Sequence, residues 1–281
     1  MGQQKLSKEQ ELQLVDEYLA GASVKSLMAK YNFASKKSIT DKVKKYYPDT
    51  YTQIINNAKE NRKGYSYSLE RLKSEFDAYF LGLLLTDGYI ARDRDIGIDL
   101  TDEDCIQFLS STIGKEYKTY PASSGNLDIQ GKKDRHRLIL SDSILVNDIA
   151  RFGVVPNKSN ILKGPNLYPD EEKYIPYIIR GIIDGDGCIF ETSYGSPAFY
   201  IITKSKDFSK WLVETLTNKL FMKDIRVTIN DNGLYRIETA NQDNIIKLIV
   251  LCYDKPFGMS RKYKHLRKMF RDYNSDLLLE K

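Results

Sequence analysis

Residues 177–190 have the sequence YIIRGIIDGDGCIF, and this stretch decides the fold. Small and apolar residues before the run DGDG at 184–187 predict a helix that can touch a second backbone, because glycine lacks a side chain. The helix ends in carboxylates, where the helix dipole disfavours negative charge. This placement calls for compensation, and a bound cation is the first candidate. The alternative is that the Asp-Gly pair only ends the helix, with the glycine in the left-handed conformation.

The same pattern occurs 99 residues earlier, in the sequence FLGLLLTDGYI at residues 80–90. When the two stretches are aligned, Asp87 matches Asp186 and the apolar positions agree, except where Arg180 and Asp184 replace leucines. Weaker similarities follow downstream in both halves. Two copies of one structural unit are therefore the simplest explanation of the sequence.

Each copy predicts an α+β unit with the order αββαββα, because helical and alternating patterns take turns along the chain. In the first copy, the predicted elements are helices at 74–87, 102–113 and 143–152, with strands at 89–100 and beside turns at 123–126 and 131–134. In the second copy, they are helices at 174–186, 207–220 and 241–251, with strands at 188–203 and beside the turn at 230–233. The expected domains are a helical domain at 1–48, a linker at 49–73, and the two units at 74–165 and 166–281.

Composition excludes several classes of protein. The 281-residue chain has 43 lysines and arginines against 38 acids, so the net charge of +5 is mild and its placement matters more than its sum. The 20 tyrosines among basic residues suit a phosphate-rich partner, although a well-hydrated surface has a similar composition. No apolar run reaches membrane-spanning length, and three scattered cysteines predict neither disulfides nor a zinc site. We expect a cytoplasmic protein without a membrane partner, associated with the nucleoid if it is bacterial or phage-encoded.

The two Asp-Gly helices resemble the two signature helices of the LAGLIDADG homing endonucleases, and their spacing resembles the single-chain members of that family. The resemblance covers residues 74–270. It departs from the family motif in the first copy, where Leu81, Leu85 and Thr86 stand in place of smaller or acidic residues. It implies two pseudo-symmetric units that form a DNA-binding saddle and act as a monomer on double-stranded DNA.

Glycines in both helices predict that the two aspartates meet. Packing through Gly82, Gly181 and Gly185 would bring Asp87 and Asp186 together at one end of the helix pair. Two adjacent carboxylates repel, and one of them stays protonated unless a hard cation neutralises the pair. Mg²⁺ suits such a site, because it prefers oxygen ligands, retains waters and binds substrate phosphates.

The resemblance also implies roles for single residues. The two aspartates are expected to bind Mg²⁺ with help from the backbone carbonyls of Thr86 and Gly185. Mn²⁺ would substitute for Mg²⁺, and Ca²⁺ would support DNA binding without cleavage. Lys158 and Lys262 match family lysines that stabilise charge on the scissile phosphate, and the alternative is an ordinary solvated lysine after a turn.

Further candidates lie at the edge of the site and on the strands. Asp102 and Ser205 fall at equivalent places where family members position water. The resemblance implies that strands of the saddle reach base edges in the major groove, through alternate residues. The candidate DNA-binding residues of this saddle are Arg92, Arg94, Lys132, Lys133, Arg135, Arg137, Tyr194, Tyr200, Lys204, Lys206, Arg226, Tyr235 and Arg236.

Residues 1–48 lie outside the resemblance and predict three short helices. A capping box of Ser7 and Gln10 precedes the first helix, and Ser23 and Ser35 are candidate caps for the others. Three such helices resemble a helix-turn-helix DNA-binding module, and the alternative is a helical appendage that packs on the main body. The candidate DNA-binding residues of this module are Lys36, Lys37, Thr40 and Lys44.

Two functions follow from these resemblances. The first is a site-specific homing endonuclease that hydrolyses phosphodiester bonds of double-stranded DNA, with a metal ion, at a long recognition site. The second is a cleavage-inactive DNA-binding regulator, or an RNA-splicing maturase, on the same scaffold. The presence of both Asp87 and Asp186 favours the first, because a protein that only binds has no need of two acids beside phosphate.

Overall fold

The structure is a computed structural model of the chain, and it describes residues 6–20, 22–33, 35–50, 67–91, 94–121 and 133–273. Arg92, Lys132 and the turn expected at 123–126 lie outside the described residues. The chain forms two compact units, residues 1–66 and residues 67–281. In the described part of the chain, no helix is long and apolar enough to cross a membrane.

The first unit contains the three expected helices, α1 (Lys8–Leu19), α2 (Val24–Lys30) and α3 (Lys37–Tyr46). Ser7 begins α1 with the expected capping box, because its hydroxyl accepts from the Gln10 N–H and the Gln10 side chain accepts from the Ser7 N–H. Apolar side chains at helical spacing form a common core, which consists of Leu14, Val15, Leu27, Ile39 and Val43.

The second unit contains both copies of the repeat, and its elements follow the predicted order. The first copy comprises α4 (Glu75–Thr86), β1 (Gly88–Ala91), β2 (Asp95–Leu100), α5 (Glu103–Ile113), β3 (Tyr117–Tyr120), β4 (Arg135–Ser141) and α6 (Ser143–Ala150). The second copy comprises α7 (Ile175–Asp186), β5 (Gly187–Glu191), β6 (Pro197–Thr203), α8 (Lys206–Asn218), β7 (Arg226–Ile229), β8 (Tyr235–Thr239) and α9 (Gln242–Cys252). Two 3-10 turns (Lys158–Asn160 and Pro169–Tyr174) connect the copies, and α10 (Ser260–Tyr273) follows α9.

Each copy forms one antiparallel four-stranded sheet. The strand orders are β1-β2-β4-β3 and β5-β6-β8-β7, so the two sheets have the same topology. Gly88 pairs with Ile98 and Gly187 pairs with Ile201. In both sheets, the glycine of the Asp-Gly motif thus begins the first strand and pairs with an isoleucine of the second. The αββαββα order and the α+β class predicted from the sequence are therefore confirmed.

Side chains alternate along the strands between a helix-covered face and an open face. In β4, Leu138 and Leu140 are buried, whereas Arg135 and Arg137 lie on the opposite face. In β6, Ile201 is buried and its neighbour Tyr200 lies on the open face. The open faces therefore carry the basic and tyrosine side chains, while the buried faces supply the core.

Residues 67–73, which fall in the expected linker, belong to the second unit and pack on it. The side chains of Leu69 and Leu72 are buried, and the Leu72 N–H donates to Glu171 Oε1 at 2.8 Å. The same carboxylate accepts two hydrogen bonds from Arg151, at 2.6 and 3.1 Å. These bonds tie the entry of the unit to the connection between its two copies.

Candidate metal and nucleic-acid site

The site begins with a glycine-to-glycine contact between α4 and α7. A Cβ atom added to Gly82 would lie 2.2 Å from the Ile178 carbonyl oxygen, and one added to Gly181 would lie 2.3 Å from the Tyr79 carbonyl oxygen. No side chain fits in either place. The predicted close approach of the two helices is thus confirmed, and it depends on the two glycines.

This contact places the two aspartates at one end of the helix pair. Asp87 is the residue that ends α4, and Asp186 is the last residue of α7. A Cβ atom on Gly185 would lie 2.1 Å from Thr86 Oγ1 and 2.6 Å from Asp87 Oδ2, so Gly185 leaves the space in which the Asp87 carboxylate sits. The sequence predicted that the acids meet, and the helix contact brings them together.

Both aspartates lie where ionisation is unfavourable. Burial, which has the largest effect, and the charge of Asp186 together raise the pKa of Asp87 to about 6, against the lowering effect of Lys158 and Lys262. Asp186 keeps more access to solvent, yet desolvation also raises its pKa, against the lowering effect of Lys158 and Lys262. Two crowded carboxylates with raised pKa values are the arrangement that a cation stabilises.

Lys158 and Lys262 lie near the aspartates, and Lys158 is buried whereas Lys262 is half-buried. The ammonium group of Lys158, which is 7% exposed, donates to the carbonyls of Thr86 at 3.1 Å and of Gly88. The ammonium group of Lys262 donates to the carbonyls of Ile183 at 2.6 Å, Asp184 at 2.7 Å and Gly187 at 2.9 Å. Each lysine therefore binds carbonyls at the C-terminal end of the Asp-Gly helix of its own copy and at the start of the next strand, where positive charge offsets the helix dipole.

Desolvation lowers the pKa of both lysines. For Lys158, the charges of Asp186 and Asp87 raise the pKa again, in that order. For Lys262, the carboxylate that raises the pKa most is that of Asp184, which does not belong to the aspartate pair. The two halves of the site are thus similar in plan and different in electrostatics.

The residues present fit a hard cation such as Mg²⁺ in part. The available donors are two carboxylates and the backbone carbonyls of Thr86 and Gly185, all of which are oxygen atoms of the type that Mg²⁺ binds. The Thr86 carbonyl already accepts one hydrogen bond from Lys158. Among the described residues, no group of three or more histidine, cysteine, aspartate or glutamate side chains could hold a metal. A cation here would therefore retain most of its waters or bind substrate phosphate.

An open cavity of about 320 Å³ adjoins Asp186. Its lining includes Lys158, Asp186 and Lys204. Lys204 was predicted as a DNA contact on a strand, and it lines this cavity together with Asp186 and Lys158. A phosphate group in this cavity would be near two lysines, Lys158 and Lys204.

Arg137 and Arg236 occupy equivalent positions on the open faces of the two sheets. Arg137 precedes Leu138, which pairs with Ile98, and Arg236 precedes Ile237, which pairs with Ile201. Ile98 and Ile201 are the residues that pair with the glycines of the two Asp-Gly motifs. Arg137 donates twice to Asp99 at 2.7 Å, and its guanidinium lies 4.8 Å from the Tyr120 ring. Arg236 donates to Glu238 at 2.5 Å and lies 4.0 Å from the Tyr200 ring. The paired carboxylate fixes each guanidinium on its sheet and leaves one side accessible.

The other predicted DNA contacts of the described residues lie on strands, in turns and at a helix start. Arg135 is exposed on the open face of β4, Arg226 is exposed on β7, and Lys206 begins α8. Arg94 lies 3.9 Å from Asp95 at the β1–β2 turn. Tyr194, in the turn between β5 and β6, is 93% exposed. Lys133 is also exposed, and Tyr235 is half-buried on β8.

In the first unit, two lysines near the candidates are already engaged. Lys42 and Lys45 form ion pairs with Glu11 of α1, at 3.0 and 2.9 Å. The candidates Lys36, Lys37 and Lys44 are exposed, and within the residues that the structure describes they form no ion pair. The hydroxyl of Thr40 donates to the Lys37 carbonyl at 3.1 Å. The free cations therefore gather at both ends of α3.

The sequence did not reveal the roles of Arg180 and Asp184, which are both buried. The Asp184 carboxylate accepts from the hydroxyls of Tyr79 and Tyr253 at 2.8 Å, and from the Met259 N–H at 3.3 Å. Arg180 donates to backbone carbonyls of the loop that precedes α10, including that of residue 255 at 2.8 Å. The available signal was their departure from the repeat, since leucines occupy the matching places in the first copy.

Comparison with known proteins adds similarity of fold only. No protein-family model matches the chain, and no curated protein matches it. A crystal structure of the LAGLIDADG meganuclease I-AabMI bound to uncleaved DNA is similar at a TM-score of 0.46 and 12% identity, covering 70% of this chain and 91% of that one. The crystal structure of the I-LtrWI LAGLIDADG homing endonuclease bound to target DNA is similar at a TM-score of 0.45 and 12% identity, covering 72% of this chain and 91% of that one. The crystal structure of the N-terminal LAGLIDADG domain of DUF199/WhiA is similar at a TM-score of 0.46 and 13% identity, covering 66% of this chain and 86% of that one. Roles of individual residues do not follow from these likenesses.

Proposed function

We propose that the chain is a site-specific, metal-dependent endonuclease of the LAGLIDADG type, which hydrolyses phosphodiester bonds in double-stranded DNA at a long recognition site. One observation carries the proposal: the glycine contact of α4 and α7 brings Asp87 and Asp186 together where both carboxyl groups have raised pKa values. A purely structural helix pair gains nothing from two crowded acids, because apolar residues would pack there without a desolvation cost.

In this proposal, Asp87 and Asp186 hold Mg²⁺, with the carbonyls of Thr86 and Gly185 as further oxygen ligands. When bound, the metal supplies a water of lowered pKa and stabilises the attacking and leaving oxygens. The ammonium groups of Lys158 and Lys262 supply fixed positive charge beside the phosphate, since each is held by carbonyls rather than by an acid of the pair. Mn²⁺ would replace Mg²⁺, and Ca²⁺ would support binding alone.

The open faces of the two sheets are the proposed DNA-binding surface. Arg137 and Arg236 project from equivalent strands, and each is fixed by a carboxylate and a tyrosine ring. A fixed guanidinium suits bidentate contact with guanine or phosphate, because less side-chain freedom is lost on binding. Since one chain supplies both aspartates, the protein would act as a monomer.

A second candidate is a DNA-binding regulator, or an RNA-splicing maturase, that does not cleave. The observation in its favour is that Lys158 already occupies the Thr86 carbonyl and compensates the helix end. In the described part of the chain, no third acid completes the group that could hold a metal. A site that is balanced by its own lysines can persist without a cation.

Selection from a randomised DNA library, first with Mg²⁺ and then with Ca²⁺, separates these two candidates. The endonuclease predicts cleaved sites in Mg²⁺ and bound, uncut sites in Ca²⁺. Asp87→Asn and Asp186→Asn should abolish cleavage and leave target binding within a few-fold, because an extended surface holds the duplex. Asp207→Asn, at an exposed residue in the first turn of α8, is the matched control. Enrichment of uncut sites under both conditions would reject the endonuclease and support the regulator.

A further inference from the structure

We infer that each copy of the repeat positions the lysine of the other copy. Asp102 and Asp104, at the start of α5 in the first copy, hold the segment that carries Lys262. Ser205, at the start of α8 in the second copy, holds the segment that carries Lys158. The catalytic meaning of this crossed arrangement rests on the proposed function, whereas the contacts themselves do not.

The first half of the arrangement is ionic. The Arg261 guanidinium donates to both oxygens of Asp102, at 2.5 and 3.0 Å. The Ser260 N–H, at the start of α10, donates to Asp104 Oδ2 at 2.8 Å. The first N–H groups of a helix have no partner within the helix, so a carboxylate from another element caps α10 here. Since Lys262 lies in the first turn of α10, these contacts fix its backbone.

The second half of the arrangement is neutral. Ser205 is 2% exposed, and its hydroxyl donates to the Leu162 carbonyl while it accepts from the Phe208 N–H at 3.2 Å. The Leu162 N–H in turn donates to the Lys158 carbonyl at 2.7 Å, which closes the turn that carries Lys158. One hydroxyl thus caps α8 and holds the lysine turn of the first copy.

These partners also account for Asp102 and Ser205, for which the sequence suggested a water-positioning role. Both residues precede the second helix of their copy, which is the equivalence that the repeat predicts. Asp102 is paired with Arg261, and Ser205 is buried against a carbonyl. In the structure each side chain is committed to a segment of the other copy.

Because each lysine segment is held by the other copy, the positions of both lysines depend on how the two copies pack through the glycine contact of α4 and α7. Each ammonium group binds carbonyls of its own copy, while its backbone is held by the other copy. A shift between the copies would therefore move both lysines relative to the aspartates. The Asp102–Arg261 pair is partly exposed and is weakened by salt, whereas the buried Ser205 bond is not. High salt should consequently release Lys262 before Lys158.

The test measures how fast an acetylating reagent modifies each lysine in the full chain, without DNA or metal, with peptide mass spectrometry as the readout. Arg261→Met should raise the modification of Lys262 several-fold and leave Lys158 unchanged. Ser205→Ala should raise the modification of Lys158 and leave Lys262 unchanged. Asp207→Asn is the control, because Asp207 is the repeat counterpart of Asp104 and lies exposed in the first turn of α8.

Equal effects of one variant on both lysines, no effect of either variant, or an effect of Ser205→Ala confined to Lys262 would overturn the inference. If Ser205→Ala fails to fold, the result for Arg261→Met decides the test. Ser205→Thr should keep Lys158 protected from the reagent, because threonine keeps the hydroxyl. In the cleavage assay, Arg261→Met should slow the same strand that Lys262→Met slows. A crossed modification pattern without any cleavage would leave the positioning intact and reject the endonuclease. Cleavage without the crossed modification pattern would support the endonuclease and reject the positioning inference.

Discussion

Gly82 and Gly181 face each other across the contact of α4 and α7, and a Cβ atom added to either would lie 2.8 Å from the Cα atom of the other. The backbones of the two helices are therefore as close as side-chain-free residues permit. This separation sets the distance between the Asp87 and Asp186 carboxylates, which end the same two helices. The chemistry of the site and the stability of the unit thus depend on one pair of glycines.

Gly82→Ala and Gly181→Ala should each destabilise the second unit. The added methyl group would meet a backbone carbonyl at 2.2 or 2.3 Å, and backbone cannot move aside as a flexible side chain can. Overpacking of this kind costs about 1–3 kcal/mol. Thermal unfolding followed by circular dichroism measures the loss. Gly195→Asn is the control, because Gly195 has open space around it and asparagine tolerates its positive φ. An unchanged melting temperature for Gly82→Ala would show that the helices can separate freely.

Lys158→Met and Lys262→Met should slow the cleavage step more than they weaken binding. Loss of one electrostatic stabiliser slows single-turnover cleavage by roughly tenfold to a thousandfold. Binding in Ca²⁺, and its dependence on salt, should change little, since both ammonium groups are turned toward carbonyls. Because the site is pseudo-symmetric, each variant should accumulate nicked circles, on opposite strands.

The matched control for the lysine variants is Lys118→Met, at an exposed lysine of β3 that pairs in register with Arg137 on the open face. A contact of that kind should lower affinity and the salt slope, and it should not select one strand. Equal slowing of both strands by Lys158→Met, together with a large loss of affinity, would make Lys158 an ordinary backbone contact.

The sequence predicted those parts of the site that local pattern specifies. Asp87 and Asp186 were found because each lies at the end of an apolar helix, and because the repeat places them in equivalent positions. Asp184 could be recognised only as a departure from the repeat, since its partners Tyr253 and Met259 come from a distant loop. The lysines were predicted near the acids, but their carbonyl partners depend on how the segments fold back. Tertiary contacts of this kind leave no periodic signal in the chain.

Lysines at the ends of α3 should contribute to DNA binding if the first unit contacts the duplex. Lys37→Ala and Lys44→Ala should each weaken binding and reduce the slope of log affinity against log salt by about 0.9 per lost phosphate contact. Lys25→Ala is the control, at an exposed lysine of α2 on a different part of the same unit. Fluorescence titrations at several salt concentrations give the slopes. Identical slopes for all three variants and the parent would assign α3 no role in binding.

Glu11 should make the first unit sensitive to acid. Hydrogen bonds from Tyr46, Lys45 and Lys42, in that order of effect, lower its pKa from 4.5 to about 2. A carboxyl group whose pKa is lowered by folding stabilises the native state above its unfolded pKa, and this contribution is lost as the pH falls toward the folded pKa. Thermal unfolding of the first unit, followed in the full chain by the NMR signals of the Tyr46 ring, should therefore shift to lower temperature as the pH falls from 4.5 to about 2.

Glu11→Gln should unfold at a lower temperature than the parent at neutral pH, and its unfolding temperature should fall less over this pH range. Glu9→Gln, an exposed acid in the same first turn, should follow the parent protein. If Glu11→Gln instead tracks the parent at every pH, the three bonds to Glu11 contribute nothing to the stability of the helices.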